Sequence, residues 1–159
     1  MSSDARKLDA IDRRILAALQ GDASLSMTDL AARVGLSTTP CWRRVRALEE
    51  AGVIRGRVAL LAPDRIGLGT TVFVAVRTAQ HNAEWLDRFA AAVRTFPEVV
   101  EFYRMSGEID YMLKVVVPDI PAFDRFYKRL IASVDMTDVS SSFAMEEIKN
   151  TTELPLDYL

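Results

Sequence analysis

Cysteine and histidine are nearly missing from this chain: Cys41 and His81 stand alone of their kinds among 159 residues. A lone cysteine cannot close an intrachain disulfide, which fits a reducing cytoplasm. With one His and one Cys far apart, no zinc site of ordinary spacing is expected, and no other metal or cofactor. Long apolar runs are absent too, since none approaches the roughly 20 residues of a membrane span. The opening Met-Ser-Ser-Asp-Ala-Arg-Lys lacks the apolar core of a secretion signal. There is no phosphate-binding glycine loop and no nucleophile elbow, and the Gly67-Leu-Gly69 pair falls in a linker. Repeats and low-complexity tracts are likewise missing.

What is present is enough for a packed core: 50% of residues are apolar and 26% charged. The net charge of −2 conceals a division. Residues 1–66 hold eleven basic against eight acidic side chains, and residues 67–159 hold nine against fourteen. A mildly basic front end is joined to an acidic body, a pattern that points to an anionic partner for the first part only.

That front end centres on Ser37–Gly52. Hydroxyl residues (Ser37, Thr38, Thr39) and Pro40 suit a first helical turn, and Gly52 suits a left-handed stop. At about 100° per residue, Cys41, Val45 and Leu48 share one face. Thr39, Arg43 and Arg46 share the other, Trp42 lies on the border, and Arg44 leans inward. A buried stripe backed by guanidiniums and hydroxyls is what a helix in a DNA major groove needs. A solvated basic face is the plainer alternative for such a helix taken alone.

What precedes it favours DNA. Leu8, Ile11, Ile15, Leu16 and Leu19 recur at helical spacing up to Gly21, with Asp12 among them and Arg44 as its expected structural partner. A second helix starts after the Ser26 cap and buries Met27, Leu30, Ala31 and Val34, and Gly35-Leu36 turns into the third. Three short helices, the last two joined by a glycine turn, make a helix-turn-helix. Val53–Leu61 alternates like a strand or small wing that would set Arg55 and Arg57 on one side, against phosphate. Thr38, Thr39, Trp42, Arg43 and Arg46 are the expected DNA contacts, with Arg55 and Arg57 holding the backbone.

Pro63–Gly69 reads as a linker, so the domains are expected at 1–62 and 70–159. Beyond the linker the periods run strand (70–78), helix (83–96, capped by Asn82), strands (99–105 and 111–117), helix (121–133) and strand (139–149). The helices are expected to bury Leu86, Phe89, Ala90 and Val93, then Phe123, Phe126, Tyr127, Leu130 and Ile131. The order βαββαβ is the ferredoxin-like arrangement, making the whole an α+β chain. Both helices cover one sheet face. Apolar residues on both sides of the strands (Val72, Val74, Val76 against Phe73, Ala75) call for a second copy, hence at least a dimer. Residues 150–159 are too few for a domain and are expected to pack on a partner subunit. His81 is expected exposed at a strand-to-helix junction, Cys41 packed inside, and Glu146-Glu147 at a solvated strand end.

Ser106-Gly107-Glu108-Ile109-Asp110 is the candidate small-ligand turn. Its glycine can aim backbone N–H groups at a carboxylate, and Asp110 can accept from an ammonium group. An ordinary hairpin turn is the alternative.

Four stretches, Asp12-Arg-Arg-Ile-Leu, Leu30-Ala-Ala-Arg-Val-Gly-Leu-Ser37, Arg44-Val-Arg-Ala-Leu-Glu-Glu-Ala-Gly-Val-Ile54 and Gly107-Glu-Ile-Asp110, taken in this order resemble the Lrp/AsnC (feast/famine) transcription regulators. The resemblance covers Leu8 to about Lys149. It implies a winged helix-turn-helix joined to an αβ-sandwich (ACT-like) that binds a free amino acid and assembles dimers, often octamers. It also implies that Gly107 and Asp110 help form the ligand site, with Met105, Ser106, Glu108, Ser140, Ser141 and Ser142 contributing. Double-stranded DNA with a roughly palindromic operator is then the partner. The stretches Thr38–Arg44 and Ser140–Lys149 are similar to the branch that regulates cysteine breakdown, which makes L-cysteine or another sulfur amino acid the expected effector. Two alternatives stand beside this: a small cofactor-free enzyme on paired ferredoxin-like sheets, and an oligomerisation module that binds nothing small. A helix-turn-helix argues against the enzyme.

Overall fold

A computed structural model describes residues 7–80 and 82–159. The expectation for His81 lies outside the described residues. The chain divides into two compact units: residues up to Ala59 together with Lys149–Leu159, and Leu60–Ile148. We call them the head and the sandwich.

In the head, α1 spans Ala10–Gly21, α2 Met27–Val34 and α3 Thr38–Glu50. Asp9 caps α1, its carboxylate accepting from the N–H groups of Ile11 (2.9 Å) and Asp12 (2.8 Å). Ser26 caps α2 by accepting from the Asp29 N–H at 3.1 Å. Gly35 at φ 74° then reverses the chain, a conformation in which any Cβ would be strained. Ile15, Leu30, Val34, Cys41, Val45 and Leu48 form the core, all essentially out of water.

Ser37 stands at the cap position of α3 but makes no side-chain cap bond. A cap oxygen reaches for the N–H two or three residues on, and the third residue here is Pro40, which has none. The alternation over Val53–Leu61 predicts a strand, and no strand forms there. The N–H groups of Val53 and Ile54 both donate to the Leu48 carbonyl, closing the end of α3 beside Gly52 at φ 70°. Among the described residues no strand pairs with the segment, and a strand without a ladder has little to hold it.

Residues 150–159, expected on a partner subunit, lie against the head of their own chain. Leu156 packs on the head core. Gln20 on α1 bonds the Leu154 backbone twice, its amide N–H donating to the carbonyl at 3.1 Å and its Oε1 accepting from the N–H at 2.7 Å.

In the sandwich, a 3-10 turn at Pro63–Ile66 leads to β1 (Thr70–Arg77), α4 (Ala83–Val93), β2 (Val99–Arg104), β3 (Tyr111–Val117), α5 (Ile120–Ser133) and β4 (Asp138–Phe143). The sheet order is β2-β3-β1-β4, every neighbouring pair antiparallel. Strand alternation sends Val72, Val74 and Val76 of β1 and Leu113, Val115 and Val117 of β3 into one core with Phe89, Phe126 and Leu130 of the helices. Trp85, absent from the expected core list, is fully buried there, and its indole N–H donates to the Asp135 carbonyl at 2.8 Å. Its spacing of four from Phe89 was the available signal. Ile131, expected inside, is 46% exposed, because Leu130 and Phe126 already take the buried stripe of α5.

The last strand ends at Phe143, not Lys149. Phe143 pairs with Val72, and the Ala144 N–H donates to the Thr71 carbonyl as the final rung. β1 begins at Thr70, so the ladder it shares with β4 stops here. Glu146 and Glu147 are exposed in that stretch.

Candidate functional site

Helix α3 carries the first candidate surface. Arg43 and Arg46 are exposed, as are Thr38 and Thr39, and Trp42 is half-exposed. Cys41, Val45 and Leu48 anchor the opposite side. The Arg46 guanidinium lies 5.9 Å from the centre of the Trp42 ring and 3.6 Å from the Glu50 carboxylate. Both contacts are solvated and weak, leaving the guanidinium able to exchange partners.

Arg44 turns inward as expected and meets Asp12 at 2.9 Å, where Asp12 is only 2% exposed. It also meets Asp9 at 2.7 Å, a partner that sequence spacing did not supply. The Asp12 N–H and then the Arg44 guanidinium hold the Asp9 carboxyl below its ordinary value. Of the three arginines in the cluster, one is thus consumed by the fold and two face out. Arg55 is exposed, whereas Arg57 pairs with Glu49 at 3.3 Å. Glu49 and Glu50 went unnoticed in the sequence, although Glu50 stands four residues from Arg46. The Cys41 thiol, buried, has its pKa pushed up, which makes it a packing residue and a poor nucleophile.

The second candidate is the turn between β2 and β3. The Met105 N–H donates to the Asp110 carbonyl at 2.8 Å, and Gly107 adopts φ 115°, closed to a side chain without strain. Asp110 is held at both ends. Its N–H donates to the Val76 carbonyl at 3.0 Å, and its carboxylate accepts from the Thr78 N–H at 2.8 Å. Glu108 is almost wholly exposed, 3.7 Å from Arg77. Thr78, buried, is a residue the sequence reading missed.

The three serines of β4 divide. Ser141 pairs with Val74 and so shares the helix-covered face, while Ser140 and Ser142 pair with Ala75 and Phe73 on the open face. Strand β1 lies between β3 and β4, so the serines and the turn are about 10 Å apart at two strand spacings. The structure brings Met105, Ser106, Gly107, Glu108 and Asp110 together with Thr78. Within one chain it does not bring the serines to them. The open face itself presents Phe73 and Tyr103, together with a Glu101 carboxylate bonded by the Tyr103 hydroxyl (2.8 Å) and Lys114 (3.3 Å).

Residues 8–55 match the family described as winged helix-turn-helix DNA-binding, and residues 71–154 match the Lrp/AsnC ligand binding domain. The chain belongs to the Lrp/AsnC family. Among its relatives, the glutamate uptake regulatory protein of Zymomonas mobilis is 54% identical, over 95% of this chain and 92% of that one. The DNA-binding transcriptional activator DecR of Escherichia coli is 53% identical, over 94% and 99%. Of solved structures, an AsnC family transcriptional regulator from Agrobacterium tumefaciens superposes with TM-score 0.93 at 63% identity, covering 96% of this chain and 99% of that one. The Neisseria meningitidis regulator NMB0573, solved as an L-Met complex, superposes with TM-score 0.91 at 39% identity, covering 96% and 99%. This Lrp/AsnC chain is therefore a DNA-binding transcriptional regulator with a ligand-binding domain, and not an enzyme. No helix among its described residues is long and apolar enough to cross a membrane.

Proposed function

We propose that a homodimer of this chain lays two copies of α3 on a roughly palindromic operator and that a free amino acid, held at the β2–β3 turn, changes that binding. The observation that carries the reading is the division within α3: Arg44 is bound by Asp9 and Asp12, and Arg43 and Arg46 remain in water. Thr38, Thr39 and Trp42 stand beside them as contacts, and Arg55 and Arg57 track phosphate. Pairing through the open sheet face supplies the two-fold symmetry, and further assembly to an octamer follows the family habit. The work is done in the cytoplasm, where the DNA is.

For the effector, the leading choice is L-cysteine or another sulfur amino acid. The L-Met complex of the Neisseria regulator supports a sulfur side chain, and the resemblance of Thr38–Arg44 and Ser140–Lys149 to the cysteine-breakdown branch supports cysteine. The Zymomonas relative's name makes glutamate the competitor. At this turn, Gly107 and its neighbouring N–H groups would receive the carboxylate, and Asp110 with Glu108 the ammonium group. Met105, Ser106 and the open-face Ser140 and Ser142, brought up by a second subunit, complete the site, and Ser141 on the covered face drops out of it. The bond from Thr78 to Asp110 favours a second reading, in which this turn is structural and the amino acid binds elsewhere.

The test titrates duplexes enriched from random sequence against the unaltered chain, with and without cysteine, methionine and glutamate. Arg43→Ala and Arg46→Ala should each weaken binding about tenfold and lower the salt dependence, while the oligomer persists. Unchanged affinity in both variants sinks the α3 reading; no response to any amino acid sinks the effector reading.

A further inference from the structure

Helix α1 is gripped from two sides. On one side Asp9, at its cap, and Asp12, in its first turn, hold Arg44 of α3. On the other lies the last segment of the chain. Gln20 makes its two bonds to the Leu154 backbone, Arg13 donates to the Leu159 carbonyl, and Leu156 packs on the head core. Glu153 lies against the end of the same helix, 3.7 Å from where a side chain on Gly21 would begin. This segment also lines a groove of about 600 Å³ together with Val53–Val58, the stretch by which the chain leaves the head. The chain passes between its units twice, after Ala59 and after Ile148, and on the head side of each crossing a segment (53–58 and Thr152, Leu154, Leu156 and Leu159) lines this groove with α1.

We propose that Lys149–Leu159 is a strap that clamps α1 and, through the Arg44 ion pairs, sets the pose of α3, so that Gln20 and Leu156 are positioning residues for DNA recognition. The proposal rests on the α3 reading above. A paired backbone amide and carbonyl at Leu154 fix the register of the strap along α1, which a purely apolar contact would leave free to slide. Arg13 adjoins Asp12, so the strap and the Arg44 pair act on neighbouring residues of one rigid helical turn.

The test compares Gln20→Ala, Leu156→Ala and the double variant with Tyr158→Ala, an 89% exposed neighbour in the same segment. Hydrogen exchange of the full-length protein is followed at Leu154 and along α1, and affinity is measured for the duplex pool enriched by the unaltered chain. Exchange at Leu154 should quicken about tenfold in Gln20→Ala, and affinity should fall roughly three- to tenfold with the salt slope unchanged, because no phosphate contact is removed. The double variant should lose less than the product of the two single losses, since both release the same strap. Tyr158→Ala should match the unaltered chain. Faster exchange with full affinity would reduce the strap to a local structural contact and overturn the proposal, as would exchange that does not respond at all. If the unaltered chain enriches no duplex, the α3 reading fails first, before any substitution is made.

Discussion

On α3, Arg43 and Arg46 stand in water while Arg44 between them is held by Asp9 and Asp12. At the β2–β3 turn, Asp110 already accepts the Thr78 N–H and closes the hairpin with its own backbone. The head thus separates its structural charge from its available charge, one side chain for each duty. The turn asks one carboxylate to do both. A polyanion is met by a convex face whose charges need only be exposed, and helix periodicity decides that. A zwitterion the size of an amino acid needs converging groups, and convergence depends on which strands lie side by side.

The sharpest way to break this comparison is to attack the structural half of the head. Arg44→Met removes the guanidinium that meets the buried Asp12 at 2.9 Å and Asp9 at 2.7 Å, and should cost about 2–3 kcal/mol of head stability in urea unfolding. If Arg44→Met unfolds like the unaltered protein, the ion pairs are incidental and the division of labour on α3 falls with them.

At the turn, Asp110→Ala should abolish the response of DNA binding to added amino acid while leaving binding without effector intact. The lost bond to Thr78 should lower stability by about 1 kcal/mol. The two duties separate if Asp110→Asn, which keeps an acceptor for Thr78 but loses the charge, restores the stability and not the response.

The smallest effect is acid sensitivity. Asp9, Asp22 and Glu101 all have carboxyls held below their ordinary values: Asp9 by the Asp12 N–H and Arg44, Asp22 by Ser24, Glu101 by the Tyr103 hydroxyl and Lys114. A lowered folded-state pKa adds stability that is present above the unfolded value and lost as pH falls through the folded one. Melting temperature should therefore drop as pH is taken below about 4, and Asp9→Asn should flatten part of that drop. An equally steep drop in Asp9→Asn would remove Asp9 from the account.

Much of the architecture was legible beforehand because each element announced itself locally. The Ser26 and Asn82 caps, the Gly35 and Gly52 stops and the alternation of Val72, Val74 and Val76 all work within a few residues of chain. So did the inward turn of Arg44, since a helix wheel places it. What escaped was decided between distant residues. Asp9 as a second partner of Arg44, Thr78 as the donor to Asp110 and Trp85 bonded to Asp135 join positions about 30 to 50 apart in sequence. The alternation over Val53–Leu61 looked like a strand, yet alternation only permits a ladder, and among the described residues no partner strand supplied one.

By itself, then, the order of residues determined which segments would be helix or strand, which face of each would seek the core, and that two guanidiniums of α3 would be left over. Those follow from the two backbone periods and from the cost of burying an unpaired charge. Only the closed tertiary structure decided that β1 separates the serines of β4 from the β2–β3 turn, that one Asp110 oxygen is already bonded, and that the last eleven residues belong to the head. The reason is that register and docking are set by contacts whose partners lie far along the chain, and no local period encodes where they meet.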